Sequence, residues 1–108
     1  RQKMAQVTNS REVQIGDRSV IVREMTVGDV RNWLADVSAD GALVNWVDDG
    51  LMGDISLRDL ARMTSLKVDE MDAWRPSELQ QVIEVARELN PHFFVLRGRM
   101  LKAVGTDL

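Results

Sequence analysis

The chain contains no cysteine and a single histidine in 108 residues. Without cysteine there is neither a disulfide framework nor a thiolate metal site, and an intracellular, cytoplasmic setting fits that usage. His92 alone would have to serve any Ser-His-Asp or Cys-His arrangement. One histidine with no cysteine also leaves zinc without a ligand set. His92 directly follows Pro91, in the first turn of what reads as the last helix, where a surface or capping role is expected. Long apolar runs are missing as well: none approaches the roughly 18 residues of a membrane span. The opening Arg1-Gln2-Lys3-Met4 is followed by no apolar h-region, so no secretory signal is expected. Positive charge is not in excess either. A net charge of −3 argues against a nucleic-acid partner, because such affinity comes largely from Lys and Arg neutralising phosphates.

What is present is an ordinary globular balance, 44% hydrophobic and 29% charged, enough for one domain with a modest core. Residues 1–10 are polar and read as a flexible N-terminal segment, with a single domain over 11–108. From 11 to 24 the pattern alternates. Val13 and Ile15 share a face, Gly16-Asp17 supplies a turn, and Ser19-Val20-Ile21-Val22-Arg23 is β-branched, which together predict a β-hairpin. A hairpin alone is marginal in water and must pack on something.

Residues 26–104 read as helical. Thr26 with Asp29 resembles an N-cap with an acidic first turn, and Val27, Val30, Trp33, Leu34 and Val37 recur as one apolar stripe. Asp40-Gly41 breaks that helix. A short segment with Leu43, Val44, Trp46 and Val47 ends at Asp48-Asp49-Gly50. Ser56 with Asp59 repeats the cap for a helix carrying Leu57, Leu60, Ala61 and Met63. Lys67 to Trp74 predicts one more short helix. Pro76 suits a first helical position, and Leu79, Val82, Ile83, Ala86 and Leu89 form the clearest stripe in the chain. Asn90-Pro91 ends or sharply kinks that helix, and Phe93, Phe94, Leu96, Met100, Leu101 and Val104 mark the last one. The expected fold class is α+β, mostly α: an N-terminal β-hairpin packed on a cluster of about five short helices.

A search for chemistry yields no catalytic, metal-ligating or cofactor-binding residue. Asp48, Asp49 and Asp54 around Gly50 and Gly53 lack the alternating ligands and distal Glu of a calcium loop and read as a solvated acidic loop. The same glycines follow no strand and precede no Lys-Ser/Thr, so they form no phosphate loop. Asp69 and Glu70 are adjacent and diverge on a helix. Leu60 to Met71 has the rhythm of a helix-turn-helix, with Ala61 at the tight contact, Ser65 in the turn and Met71 as the apolar anchor. Its second helix would display Lys67, Asp69, Glu70 and Asp72, three of them acidic, against phosphates and base-edge acceptors. Arg97, Arg99 and Lys102 do not share one stripe and read as surface charge.

The second half carries a pattern of its own: Met63-Thr64-Ser65-Leu66, Asp69-Glu70-Met71, Arg75-Pro76-Ser77-Glu78-Leu79, then Glu88-Leu89-Asn90-Pro91-His92-Phe93-Phe94. It resembles the small tail assembly chaperones of long-tailed bacteriophages, and Val20 to Thr26 is similar to their opening hairpin and first helix. The resemblance covers roughly residues 11–101. It implies a cytoplasmic, non-enzymatic, protein-binding factor without cofactors. Its partners would be the tape-measure protein and the tail-tube protein, with no nucleic acid and no membrane; a homo-oligomer is compatible. A DNA-binding regulator and a structural tail or head-completion subunit are the alternatives. A helical client would be met by adaptable apolar surface, and six methionines and three tryptophans supply it. Trp46, Leu51 and Met52 flank the acidic Gly loop, where full burial is hard, and Trp74 sits at a helix junction. These four are the leading candidates for protein binding, ahead of Phe93 and Phe94, of which at least one is expected in the core.

Overall fold

The alternating segments pair as expected in a computed structural model of the chain, which describes residues 9–39, 46–53 and 55–103. Strand β1 (Ser10–Ile15) runs antiparallel to β2 (Arg18–Arg23), with Val13 opposite Val20 and Ile15 opposite Arg18. Two residues make the turn. Gly16 takes φ of 64° while Asp17 stays at negative φ, the pattern of a type II′ hairpin, in which glycine belongs at the first central position. The pairing begins earlier than the sequence suggests. The Asn9 carbonyl accepts from the Glu24 N–H at 2.8 Å, so Asn9 and Ser10 belong to the hairpin and not to a flexible lead-in.

Ile15, Val20 and Val22 are buried, and the face they form packs on helix α4 (Pro76–Leu89). Every position of the α4 stripe, Leu79, Val82, Ile83, Ala86 and Leu89, is buried in one contiguous core. Pro76 opens that helix as expected, and the Glu78 carboxylate accepts the Arg75 N–H at 2.8 Å. Helix α5 (Pro91–Ala103) starts at once after Asn90. Before them in the chain come α1 (Val27–Ala39), α2 (Trp46–Gly50) and α3 (Leu57–Arg62). Both expected caps form. Thr26 and Asp29 exchange side chain-to-backbone bonds at 2.9 and 3.0 Å, and Ser56 Oγ accepts the Asp59 N–H at 3.0 Å. Leu43, Val44, Asp54 and Val104 lie outside the described residues, as do the side chains of Trp46, Leu101 and Lys102.

The helix-turn-helix rhythm resolves into something else. Thr64 bridges to Val22, the Arg23 N–H donates to the Met63 carbonyl at 2.8 Å, and the Ser65 N–H donates to the Ile21 carbonyl at 2.9 Å. The presumed turn therefore lines the second edge of β2. The segment after it is a 3-10 helix (Val68–Ala73), not an α-helix. Its start is fixed by the Glu70 carboxylate, which accepts the Lys67 N–H at 2.8 Å. Six residues at about 2 Å each are too short for a recognition helix, although Met71 is buried and Lys67, Asp69, Glu70 and Asp72 face solvent.

Asn90 holds the hairpin to the helices. It is 3% exposed. Its Oδ1 accepts the Met25 N–H at 2.8 Å, and its Nδ2 donates to the carbonyls of Arg23 and Ala86, both at 3.1 Å. One amide thus joins the end of β2 to the end of α4. Asn90→Ala strands buried backbone groups, and stranded groups cost about 1–3 kcal/mol each. The expected loss is therefore at least about 2 kcal/mol, read from the denaturant midpoint at unchanged m-value. A loss below about 0.5 kcal/mol would remove the clamp from the account.

Candidate protein-binding surface

Helix α1 presents its apolar side chains unevenly. Trp33 is buried and Val30 is half-buried against the core, yet Val27 is 71% exposed, Leu34 41% and Val37 47%. At about 100° per residue, Val37, Val30, Leu34 and Val27 all lie to one side of Trp33, between about 40° and 120° from it. The stripe is thus anchored along one margin while the rest faces outward.

That anchor is a cluster absent from the sequence reading. Asp59, 8% exposed on α3, accepts from Trp33 Nε1 at 2.9 Å through Oδ1 and from Arg97 Nε at 3.0 Å through Oδ2. The Trp33 ring meets Phe93 edge-on at 4.9 Å between centroids. Arg97 is therefore a mostly buried partner of Asp59 rather than surface charge. On the next turn of α1, Asp36 pairs with Arg62 at the end of α3. Trp33 and Asp36 both face the body, which leaves Val27, Leu34 and Val37 turned aside. No local signal marks the cluster, since its members lie 26 and 38 residues apart in the chain.

The expected binding residues divide. Leu51 is half-exposed, and so is Val47. Trp46 begins α2, its side chain outside the described residues. Met52 is buried, contrary to expectation, and joins the core beside Ile55 and Leu57. The chain turns inward after Leu51, and the expected solvated acidic loop does not form there: Asp48 and Asp49 stand half-buried in α2, with Asp49 paired to Arg58. Phe93 is buried, and Phe94 is half-buried beneath the Arg87 guanidinium at 5.1 Å. Trp74 lies near the turn end of the hairpin, with the Arg18 guanidinium 4.3 Å over its ring. It lines an open cleft of about 380 Å³ with Arg18, Ser19, Ser65, Leu66 and Glu70. Arg18 also reaches the Ala73 carbonyl at 3.4 Å and Glu78 at 3.5 Å. Phe93 and Phe94 follow Asn90 at the far end of β2, so the two aromatic sites are separate.

The geometry offers a surface for contact. Among the described residues, no group of His, Asp and Glu is placed to hold a metal ion, and no helix is long and apolar enough to cross a membrane. His92 is exposed. Compared with known proteins, the chain matches no family model, no curated protein and no solved structure.

Because Asp59 is an ion held among three elements, removing it should cost far more than removing an exposed ion pair. Asp59→Ala takes the shared carboxylate away from Arg97 and from the Trp33 N–H, for an expected loss of about 3–5 kcal/mol. Arg11→Ala breaks an exposed pair with Glu88, worth at most about 1 kcal/mol. Equal midpoint shifts for the two variants would contradict this assignment.

Proposed function

We propose that the chain is a non-enzymatic, protein-binding assembly factor that holds a helical client in the cytoplasm, as the tail assembly chaperones it resembles hold a tape-measure protein. One observation carries the reading: the outward apolar strip of Val27, Leu34 and Val37 on α1. A small domain gains nothing for its own stability by leaving three aliphatic side chains in water along one helix. Contiguous exposed apolar surface marks a contact site, and a groove or face that accepts an amphipathic helix through i, i+3, i+4 and i+7 anchors is a recurrent mode of recognition. The mixed surface charge supports a protein client over a nucleic acid, because the short 3-10 helix turns Asp69, Glu70 and Asp72 to solvent.

The test is co-expression with a long, helix-rich tape-measure protein of a long-tailed phage. Co-purification and a severalfold rise in the soluble fraction of that client are expected. An insoluble client and no complex would end the reading. A salt-dependent gel shift with duplex DNA would favour the regulator instead.

A further inference from the structure

We propose, building on the client-binding reading, that the client docks as an amphipathic helix laid along α1, its apolar seam against Val27, Val30, Leu34 and Val37 and an acidic residue opposite Arg31. The spacing of those four residues is three, four, three, which is the a–d–a–d pattern of two heptads. At about 100° per residue they fall within about 80° of one another. That is narrower than the stripe a globular helix buries against its own core and matches the seam of paired helices. Such a seam is covered by another helix crossing at about 20°.

The borders of the seam say which helix. Trp33 flanks it on one side, committed to Asp59 and Phe93. Arg31 flanks the other, exposed and without an ion pair among the described residues. The acidic groups of α1 are engaged elsewhere: Asp29 caps the helix at Thr26, and Asp36 pairs with Arg62. The open rim is therefore positive, and an acidic residue on the incoming helix complements it.

A second copy of the chain fits less well. Antiparallel pairing of two α1 helices sets both Arg31 guanidinium groups along the same flank, where like charges repel. A helix about 20 Å long carrying four aliphatic contacts also falls far short of the roughly 20–30 residues a side in a stable interface. A contact of that size suits a partner that is bound weakly and reversibly.

The probe is a three-heptad synthetic helix with Leu at a and d and Glu at the flanking positions, compared with the same peptide carrying Lys there. Fluorescence anisotropy of the labelled peptides is read against the whole chain. At low salt the Glu peptide is expected to bind at least fivefold tighter than the Lys peptide, the gap closing as salt rises. Arg31→Glu reverses the preference, and Leu34→Asp weakens both peptides at least tenfold while leaving the unfolding midpoint in place. A preference untouched by Arg31→Glu, binding untouched by Leu34→Asp, or a dimer that Leu34→Asp dissociates would each overturn the proposal. Co-expression separates this from the broader reading. A client rescued equally by the wild type and Leu34→Asp keeps the assembly factor and removes the seam, whereas a client rescued by neither removes both.

Discussion

A carboxylate taken out of water must be met by partners of good geometry, or the cost of its burial dominates. Asp59 meets that condition by drawing one donor from α1 and one from α5 while sitting in the capped first turn of α3. Three helices from distant parts of the chain are thereby brought to one point. The consequence reaches beyond stability. Because the indole of Trp33 is held by a directed bond and an edge-on contact with Phe93, the rotation of α1 about its own axis is fixed. That rotation decides which of its apolar residues face the body and which face solvent.

The hairpin rests on a different device. The two-stranded sheet would be marginal alone. It is stabilised on its buried face by α4, on one edge by Met63 to Ser65, and at its exit by the amide of Asn90. Both devices place a polar side chain in the core with its hydrogen bonds satisfied, and both act between segments far apart in sequence. The core is otherwise ordinary aliphatic packing, and its tolerance to volume-conserving substitution is expected to be ordinary too.

This division explains what could be read in advance. Local rules were legible: the hairpin with its Gly16 turn, the caps at Thr26 and Ser56, Pro76 opening α4, and the five buried positions of the α4 stripe. Relations between distant segments were not. Ser65 looks like a turn residue because nothing local reveals that β2 has an edge to offer it, and Lys67 to Trp74 has helical spacing whether it winds as α or 3-10. Arg97 reads as surface charge until Asp59 is placed beside it. Among the candidate binding residues, Leu51 stays at the surface while Met52, its neighbour, turns inward, a distinction that composition cannot make. The α1 stripe was visible as a stripe, but apolar periodicity does not say whether a face meets the chain's own core or another molecule.

A structural joint is thus tied to the exposed apolar strip: Asp59 holds Trp33, Trp33 orients α1, and α1 presents Val27, Leu34 and Val37 to solvent. Amide hydrogen exchange on the Trp33→Phe variant tests that link most directly, because an aromatic ring is kept while the indole N–H that bonds Asp59 is lost. The account expects protection in α1, from Val30 to Val37, to fall by at least tenfold while the buried amides of α4 keep theirs. Unchanged protection in α1, or an equal fall in α1 and α4, would contradict the claim that this one bond fixes the helix.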